Sequence, residues 1–399
     1  MWSRLIHLLC CPICGHALDL HPFCENTVDV SSEFLVVAQR RQVLNDQFNR
    51  YVEAGLLICE QCRHLFPILY GLPILLPYTT PMHHEFAAQY QLKMAPLSMT
   101  HTFPALPAVS GEKFVMNSFS KEWLGYEYDG VIWDLSYEDH ERRFLSEIGR
   151  EAAHLGRNGV FLEVGCGLGV TTHFAYKNLE ADAIGFDLSL AVLKAAQHFR
   201  THPFLHFVQG SAFYPPFRNG IADVVYSHGV LHHTFSTRAA FKAIAPCCGP
   251  SGILYVWVYG PDSQKGNLLR RAAYHLETLV RPVIAQNPQS IFSRIFLNVM
   301  SYGYLAVNWG HRVRNPAVQA YTVQRAAHAA RDRFTPLYAH RHDHNELTEW
   351  FRDAGFRRVE LVDWRSMPSA NRDNFRRNTA IRGWRLSDEI ATAREMPGL

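Results

Sequence analysis

Four cysteines near the start of the chain form two pairs with the spacing of metal ligands. Cys11 and Cys14 are separated by two residues, and so are Cys59 and Cys62. Each pair can present two thiolates from one tight turn, and two such turns complete the tetrahedron that Zn²⁺ prefers. We therefore predict a structural zinc ion at these four cysteines, with no catalytic role. A redox pair or chance spacing is the alternative.

A glycine-rich turn after an apolar stretch is the second place where chemistry is expected. Residues 161–169 read Phe-Leu-Glu-Val-Gly-Cys-Gly-Leu-Gly, an apolar strand that leads into the turn. Glycines let backbone N–H groups approach a ligand closely. Asp187 ends the next apolar strand, where a carboxylate can hold ribose hydroxyls. These features predict a nucleoside-binding βαβ unit, and Glu163 before the turn favours a cationic ligand over a pyrophosphate.

The E-x-G-x-G-x-G pattern at 163–169 resembles motif I of class I S-adenosylmethionine-dependent methyltransferases, whose cofactor carries a sulfonium and an ammonium group. Residues 215–234 are similar to the "LPF…FDxVxSxxVLHH" stretch of the UbiE-like (type 11) members of this family. The resemblance covers about residues 155–260. It implies an α/β fold with a Rossmann-like, mostly parallel sheet and one antiparallel edge strand. A nicotinamide or flavin Rossmann domain is the alternative.

The same resemblance implies S-adenosyl-L-methionine as the cofactor and assigns its contacts by motif. The residues that match these motifs are Glu163, Gly165, Gly167, Gly169, Asp187, Leu188, Ser211, Ala212 and Ser227. One of them departs from the family, which usually has an aspartate where Ser211 stands, accepting from the adenine amino group. A serine hydroxyl hydrogen-bonds more weakly than a carboxylate. The sequence therefore departs from the family pattern at the adenine contact.

Two adjacent histidines, His232 and His233, follow the fourth strand, where the family places the transferable methyl group. In small-molecule O-methyltransferases, the histidine that matches His232 is the general base. In cyclopropane-synthase-like relatives, the aligned histidine matches His233. The resemblance makes these two the candidate catalytic residues, with His228 as a weaker candidate. A purely structural role for the pair is the alternative.

A second resemblance covers residues 5–78, which contain both cysteine pairs and the apolar pattern of residues 66–77. This region resembles the small zinc-ribbon activator protein that partners several tRNA, rRNA and protein methyltransferases. In that family, the ribbon stabilises and sometimes directs a methyltransferase that is a separate chain. Here the two parts are fused. Residues 34–54 are expected to pack as a helix inserted in the ribbon.

The elements that position these residues divide the chain into six segments. They are a zinc-ribbon domain (1–80), a linker (81–118), the cofactor-binding half of a methyltransferase core (119–262), a helical lid insertion (263–340), the remainder of the core (341–386) and a tail (387–399). Apolar helices over 268–283 and 291–307 are predicted to cover the substrate site. A homodimer surface or an interfacial membrane helix is the alternative for this insertion.

The composition of the chain indicates which classes of binding partner it favours. The chain has 399 residues and a net charge of +3, which implies no strong attraction to nucleic acid or to an anionic membrane. We predict methyl transfer to a small-molecule or lipid-like acceptor, with oxygen as the favoured acceptor atom. An RNA methyltransferase that uses the ribbon for substrate binding is the alternative. No export signal and no transmembrane segment are expected, and the cysteine usage favours a cytoplasmic location.

Overall fold

The computed structural model of the chain describes residues 1–132, 135–261, 268–314 and 320–385, and its first part is an antiparallel sheet. Its elements are β1 (Asp19–Thr27), α1 (Ser32–Arg40), β2 (Arg50–Cys59), β3 (His64–Leu69) and β4 (Leu72–Leu75). β2 pairs with β1 and β3, and β3 pairs with β4. The helix predicted over 34–54 is wrong in its second half. α1 ends at Arg40, and the almost fully buried, apolar β2 begins at Arg50.

Residues 81–118, which were predicted as a linker, are folded. It contains α2 (Pro81–Gln89), α3 (Gln91–Met94) and most of α4 (Glu112–Trp123). α2 begins with a capping box, in which the side chains of Thr80 and His83 bond each other's backbone N–H groups. Pro81 occupies the first turn, where a missing N–H group costs nothing. Phe86 is fully buried and stacks on Phe23 of β1. Pro81 therefore marks the start of a helix within the predicted linker.

A Rossmann-like alternation of strands and helices follows. Its elements are β5 (Val131–Ile132), β6 (Leu135–Ser136), α5 (Tyr137–Leu155), β7 (Val160–Val164), α6 (Val170–Leu179), β8 (Asp182–Asp187), α7 (Ala191–His198), β9 (Leu205–Gly210), β10 (Ala222–His228), α8 (Thr237–Ile244) and β11 (Cys248–Val258). β5 and β6 pair with each other, and the other strands are parallel in the order β9-β8-β7-β10-β11. These strands are apolar and largely buried, as expected for a parallel sheet covered by helices on both faces.

After β11 the chain leaves the sheet for a helical insertion and later returns. The elements are α9 (Leu268–Gln286), α10 (Ile291–Arg314), α11 (Val323–Phe334), α12 (His344–Asp353), β12 (Arg358–Leu361), α13 (Arg372–Arg377) and β13 (Thr379–Trp384). The two predicted apolar helices are confirmed as α9 and α10. No helix among the described residues combines the length and apolar character that crossing a membrane requires. Residues 263–267 of the predicted lid and the predicted tail, 387–399, lie outside the described residues.

The mostly parallel Rossmann-like sheet is confirmed, with one correction at its end. β13 is antiparallel and lies between β11 and β12, so the predicted antiparallel edge strand is internal. β13 is buried along nearly its whole length, whereas β12 is half-buried and carries charged residues. An apolar strand is stable inside a sheet, and a short charged strand protects its edge.

A single sheet joins the two parts of the chain within the described residues. β4 pairs in parallel with β9, with Ile74 opposite Gln209 and Leu75 opposite Gly210. The sheet has eleven strands in the order β1-β2-β3-β4-β9-β8-β7-β10-β11-β13-β12. Leu75 also belongs to the apolar cluster that contains Val208 of β9. The cysteine-bearing part is therefore built into the main fold, and a domain division at residue 80 stays a proposal.

The buried position of Phe86 predicts that the 81–118 segment contributes to stability. Replacing Phe86 with Ala removes a fully buried ring and should lower the free energy of unfolding by about 3 to 5 kcal/mol. Leu92→Ala in the neighbouring α3 is the control, because Leu92 is exposed and its change should stay within about 0.5 kcal/mol. Chemical denaturation of both variants checks this. Equal stabilities would mean that the segment is a tether.

Candidate active site

A cavity of about 650 Å³ opens where the parallel strands end. Its walls include the carboxyl ends of β7, β8 and β10, the helix α4, and residues of α9, α10 and α11. The predicted site residues that line it are Glu163, Gly165, Gly167, Asp187, Leu188, Ala212, His232 and His233. Gly169, Ser211 and Ser227 do not line it. The structure thus brings six of the nine predicted cofactor residues and both candidate bases to one cavity.

The glycine turn after β7 is shaped by close contacts and by Asp187. Gly165 has a φ of +81°, and a Cβ there would lie 2.1 Å from a Val230 methyl carbon. The Gly167 N–H donates to Asp187 Oδ2 at 2.8 Å, and the Ser189 N–H donates to Oδ1 at 2.7 Å. Each carboxylate oxygen keeps a further lone pair. Asp187 is therefore fixed at the cavity and can still accept from ligand hydroxyls.

Two of the predicted contact residues lie behind the cavity wall. Gly169 has a φ of +73°, and a Cβ there would lie 2.4 Å from the Phe207 ring. The Ser227 hydroxyl donates to the Val164 carbonyl oxygen at 3.3 Å and is fully buried. Ser227 therefore ties the end of β10 to the end of β7, and Gly169 lets the start of α6 approach the Phe207 ring of β9. The motif pattern does not distinguish this role from ligand contact, because both require the same residue types.

Glu163 is a buried carboxyl group at the floor of the cavity. The Thr172 hydroxyl donates to its Oε2 at 2.5 Å. Burial raises its pKa to about 8, the Thr172 hydrogen bond opposes this shift, and the nearby Asp187 carboxylate adds to it. Without a positive partner, the group is therefore mostly protonated at neutral pH. A cationic ligand group at this position would favour the ionised form and gain a charge-assisted hydrogen bond.

Glu112 is a cavity residue that the sequence interpretation missed. It begins α4, is buried, and accepts a hydrogen bond from the Ser211 hydroxyl. The Val109 N–H donates to its other oxygen at 3.3 Å. Burial raises the pKa of Glu112 above its usual value. A carboxyl group thus lies beside Ser211, where the family usually has an aspartate. No sequence pattern links positions 112 and 211, so only the fold reveals the pair.

The candidate bases lie on a single 3₁₀ turn, Leu231–His233. His233 Nδ1–H donates to the Tyr338 carbonyl oxygen at 2.7 Å, which leaves the lone pair on Nε2. Burial lowers the pKa of His233 to about 3. Burial likewise lowers the pKa of His232 far below its usual value, and its ring lies 3.9 Å from that of Tyr259. Both imidazoles are therefore neutral at physiological pH and able to accept a proton.

His228, the weaker candidate, is paired with a carboxylate. Its Nδ1 lies 2.8 Å from Glu147 Oε1, and its ring stacks on Trp257. Burial and the nearby Arg143 lower the pKa of His228, and Glu147 opposes them. Glu147 is fully buried and also accepts from the Tyr226 hydroxyl. His228 lines the cavity, so the structure keeps it as a third candidate.

The four predicted metal ligands meet at one point. The sulfur atoms of Cys11, Cys14, Cys59 and Cys62 all lie within 4.8 Å of one another. The Cys11–Cys62 and Cys14–Cys59 sulfur distances are 3.5 and 3.4 Å. A tetrahedral zinc ion with Zn–S bonds of about 2.3 Å would place its sulfurs about 3.8 Å apart. The cluster therefore fits a closed, structural zinc site.

Comparison with known families gives two matches within the chain. Residues 162–256 match the methyltransferase domain family, and residues 3–69 match the family of Trm112p-like proteins. The chain carries a methyltransferase domain fused to a Trm112p-like domain. Both predicted resemblances are thereby confirmed. The methyltransferase domain agrees with S-adenosyl-L-methionine as cofactor, and the four-cysteine cluster of the Trm112p-like domain agrees with structural zinc.

One curated relative and several solved structures are similar to parts of this chain. An uncharacterized Synechococcus protein is 34% identical over 113 residues, which span 27% of each protein. The chain therefore matches only about a quarter of that relative's length. The Haloferax volcanii complex of the Trm112 methyltransferase activator with a methyltransferase is 15% identical, covering 63% of this chain and 93% of that chain, with a TM-score of 0.37.

Two eukaryotic methyltransferases have similar values. Phosphoethanolamine N-methyltransferase 2 of Haemonchus contortus is 14% identical, covering 71% of this chain and 61% of that chain, with a TM-score of 0.39. Human N-acetylserotonin methyltransferase is 13% identical, covering 71% and 61%, with a TM-score of 0.41. At these identities and TM-scores, the structural likenesses carry no conclusion about substrate or partner.

The cysteine cluster predicts that zinc stabilises the whole fold, because the Trm112p-like domain shares its sheet with the methyltransferase domain. Cys11→Ser should lose the bound zinc and lower the unfolding temperature by about 10 °C or more. Cys24→Ser is the matched control, since Cys24 is exposed and outside the cluster. Metal analysis and thermal unfolding check both variants. Native protein that contains no zinc would contradict the assignment.

Proposed function

We propose that the chain is an S-adenosyl-L-methionine-dependent methyltransferase that acts on a small-molecule or lipid-like acceptor, with oxygen as the acceptor atom. One observation carries this proposal. A single cavity is lined by the carboxyl groups of Glu163 and Asp187 and also by the imidazoles of His232 and His233. A cationic methyl donor and a group that takes up a proton therefore have places in the same enclosure. A cytoplasmic location, inferred from the cysteine usage, belongs to the same proposal.

The cavity residues would divide the work of binding. S-adenosyl-L-methionine, when bound, supplies a methyl group activated by its sulfonium centre. Glu163 would hold a positively charged group of the cofactor, and Asp187 would accept from its ribose hydroxyls. Glu112, which the Ser211 hydroxyl holds in place, would accept a hydrogen bond from the adenine amino group. The carboxyl groups of Glu112, Glu163 and Asp187 in one cavity match the hydrogen-bond donors and positive charges of S-adenosyl-L-methionine.

Among the histidines, His233 is the candidate whose geometry best suits a general base. The Tyr338 carbonyl fixes its Nδ1 as the protonated nitrogen, so Nε2 can take the proton from an acceptor hydroxyl. The same carbonyl then stabilises the imidazolium that forms, because it accepts from Nδ1–H. Phe119 and Tyr259 pack around this ring and keep water away from it. We place His232 beside it as a wall residue and keep His228 as the alternative base.

The size of the cavity supports a small acceptor. A volume of about 650 Å³ lies in the range of sites for small molecules and cofactors, about 300 to 1,000 Å³. Side chains of the insertion, among them Glu277, Tyr304 and Asp332, line it together with the cofactor residues. A cavity of this volume suits an acceptor that is small enough to bind there as a whole molecule.

RNA is the alternative acceptor, and the Trm112p-like domain is the observation that favours it. In this alternative, the Trm112p-like domain, matched at residues 3–69, would bind the RNA substrate. The decisive experiment supplies purified protein with methyl-labelled cofactor and offers total RNA and a lipid-containing metabolite extract in separate reactions. We expect label in the extract. Label in RNA alone would establish the alternative, and Asp187→Ala should remove labelling in either case.

Glu163 predicts a pH dependence of cofactor affinity. Its pKa of about 8 means that binding a cation must first release a proton from this carboxyl group. Affinity should therefore rise by roughly tenfold per pH unit between about pH 6 and pH 8 and then level off. Calorimetry in buffers with different ionisation enthalpies measures both the affinity and the released proton.

Two variants make the Glu163 prediction specific. Glu163→Gln should bind weakly and lose the proton release, since its amide does not titrate. Glu151→Gln, at an exposed residue that pairs with Arg358 on the surface, should behave as the native protein does. A native affinity that is constant from about pH 6 to pH 8 would contradict the assignment of Glu163 to the cation.

The assignment of His233 as the general base predicts how kcat responds to its substitution and to pH. His233→Gln should lower kcat by about a hundredfold or more and leave the KM for the acceptor within about twofold. Because the pKa of His233 is about 3, the native base is already neutral at higher pH. At saturating cofactor, kcat should thus be flat between about pH 5 and pH 8. His198→Gln is the control, since that histidine stacks on Tyr128 outside the cavity.

A loss of activity centred on the ordinary imidazole pKa of about 6.5 would exclude a deeply buried base. A normal kcat in His233→Gln would move the role to His232 or His228.

A further inference from the structure

The two long helices of the insertion expose many apolar residues and bury several polar ones, beside a small apolar cluster that contains Ile284 and Leu297. In α10, the inward residues include Ser293, Ser301 and Asn308, which are buried. Ile295 and Val299 on the other side are 59% and 56% exposed. A helix on the surface of a globular protein normally has the opposite arrangement. The outer side of α10 is therefore suited to an apolar environment outside the protein.

The exposed apolar residues are spaced as single stripes. In α10, Phe292, Ile295, Val299 and Tyr302 follow one another at intervals of three and four residues. In α9, Leu276, Leu279 and Val283 do the same, whereas Glu277 and Arg281 are buried. Residues at these intervals lie on one side of a helix. We call these two sets of exposed residues the outer stripes. Exposed apolar patches on a protein surface mark interaction sites.

The charged residues of the same region are almost all positive. Residues 278–331 contain no aspartate or glutamate, but they contain several arginines. Arg294, Arg312 and Arg314 of α10 are all exposed. The one carboxylate of α9 and α10, Glu277, is buried beneath Arg281 and Arg333. The outer stripes are thus bordered by positive charge that has no exposed acidic residue on the described parts of α9 and α10.

We propose that the outer stripes of α9 and α10 dock on an anionic lipid surface. Apolar side chains would enter the boundary between acyl chains and headgroups, and the arginines would contact lipid phosphates. Trp309, which is 69% exposed, and Tyr302 are residue types that favour this boundary. The helices would lie on the membrane, because their inner faces pack against the protein and line its cavity.

The positive charge of α10 also argues against a second copy of the chain as the partner that covers the outer stripes. A twofold dimer brings the same surface patch of both copies together. The exposed arginines of both α10 helices would then share one interface without an exposed carboxylate from either α10. Like charges in such an interface are unfavourable, whereas anionic headgroups neutralise them. The predicted homodimer through residues 263–340 is therefore the less favoured occupant.

This position would place the membrane next to the cavity. Glu277 of α9 and Tyr304 and His311 of α10 line the cavity from the same helices that carry the outer stripes. One layer of helix thus separates the proposed lipid surface from the site. If the acceptor is lipid-like, which rests on the proposed function, it would have a short path from the bilayer. The docking itself does not depend on that function.

Vesicle flotation of the full chain tests the proposal without any cofactor or turnover. We expect binding to vesicles of phosphatidylcholine containing phosphatidylglycerol, and at least about tenfold weaker binding to phosphatidylcholine alone. Salt should weaken the binding to anionic vesicles. No binding, or equal binding to the two vesicle types, would overturn the proposal. Because no methyl transfer is measured, failure of the proposed function would leave this result intact.

Paired variants separate the apolar and the charged contributions. Ile295→Asp combined with Val299→Asp should abolish binding, whereas Leu92→Asp combined with Met99→Asp should not change it. The control residues are 90% and 86% exposed and lie outside the insertion. Arg294→Gln combined with Arg312→Gln should weaken binding to anionic vesicles by roughly 25-fold. Binding to anionic vesicles that the stripe variant leaves unchanged would overturn the proposal.

Two further measurements complete the test. The thermal unfolding of each variant should match that of the native chain, because every altered residue is exposed. Light scattering measures the oligomeric state. A dimer that the Ile295→Asp, Val299→Asp variant converts to monomers, together with no vesicle binding by the native chain, would assign the surface to a second copy and overturn the proposal.

Discussion

The parallel pairing of β4 with β9 is the interaction on which the rest of this structure depends. It joins the Trm112p-like sheet to the methyltransferase sheet, so the two domains share hydrogen bonds and an apolar core. It also determines the path of the next segment, which returns over the carboxyl ends of the parallel strands as α4. That path brings Glu112 to Ser211. The junction with the Trm112p-like domain thus contributes to the wall of the candidate active site.

The cavity concentrates carboxyl groups in a place that disfavours their ionisation. Burial raises the pKa values of Glu163, Glu112 and Asp187 above their ordinary ranges. Such groups destabilise an empty site, since each must be protonated or ionised without a full hydration shell. A cationic ligand that also carries hydroxyl and amino donors would relieve this cost at all three positions. The same burial keeps His232 and His233 neutral, so each imidazole retains a nitrogen lone pair.

The parts of the fold that could be predicted from the sequence are those whose signals are local. The glycine turn and Asp187 lie on consecutive strands, and each cysteine pair occupies one turn, so their spacing alone indicates their chemistry. Contacts between distant segments had no such signal. Glu112 meets Ser211 and His228 meets Glu147 only because helices outside the motif pack on the sheet. The internal position of β13 was missed because the order of strands in a sheet is a tertiary property. The composition of residues 81–118 led to a wrong prediction of a linker. Pro81 in this segment is the first residue of a helix.

The insertion shows a further limit of sequence patterns. Periodicity predicted α9 and α10 correctly, but a stripe of apolar residues does not say whether it faces inward or outward. Here the inward positions are occupied by Glu277 and Arg281, which form a buried ion pair above the cavity. That ion pair shares the interior with a small apolar cluster that contains Ile284 and Leu297, and many other apolar residues of the two helices lie on the outside. The modest net charge of the chain conceals the same asymmetry, since acidic residues elsewhere balance the arginines of residues 278–331. Local charge, and not the total, therefore determines which surface this insertion can bind.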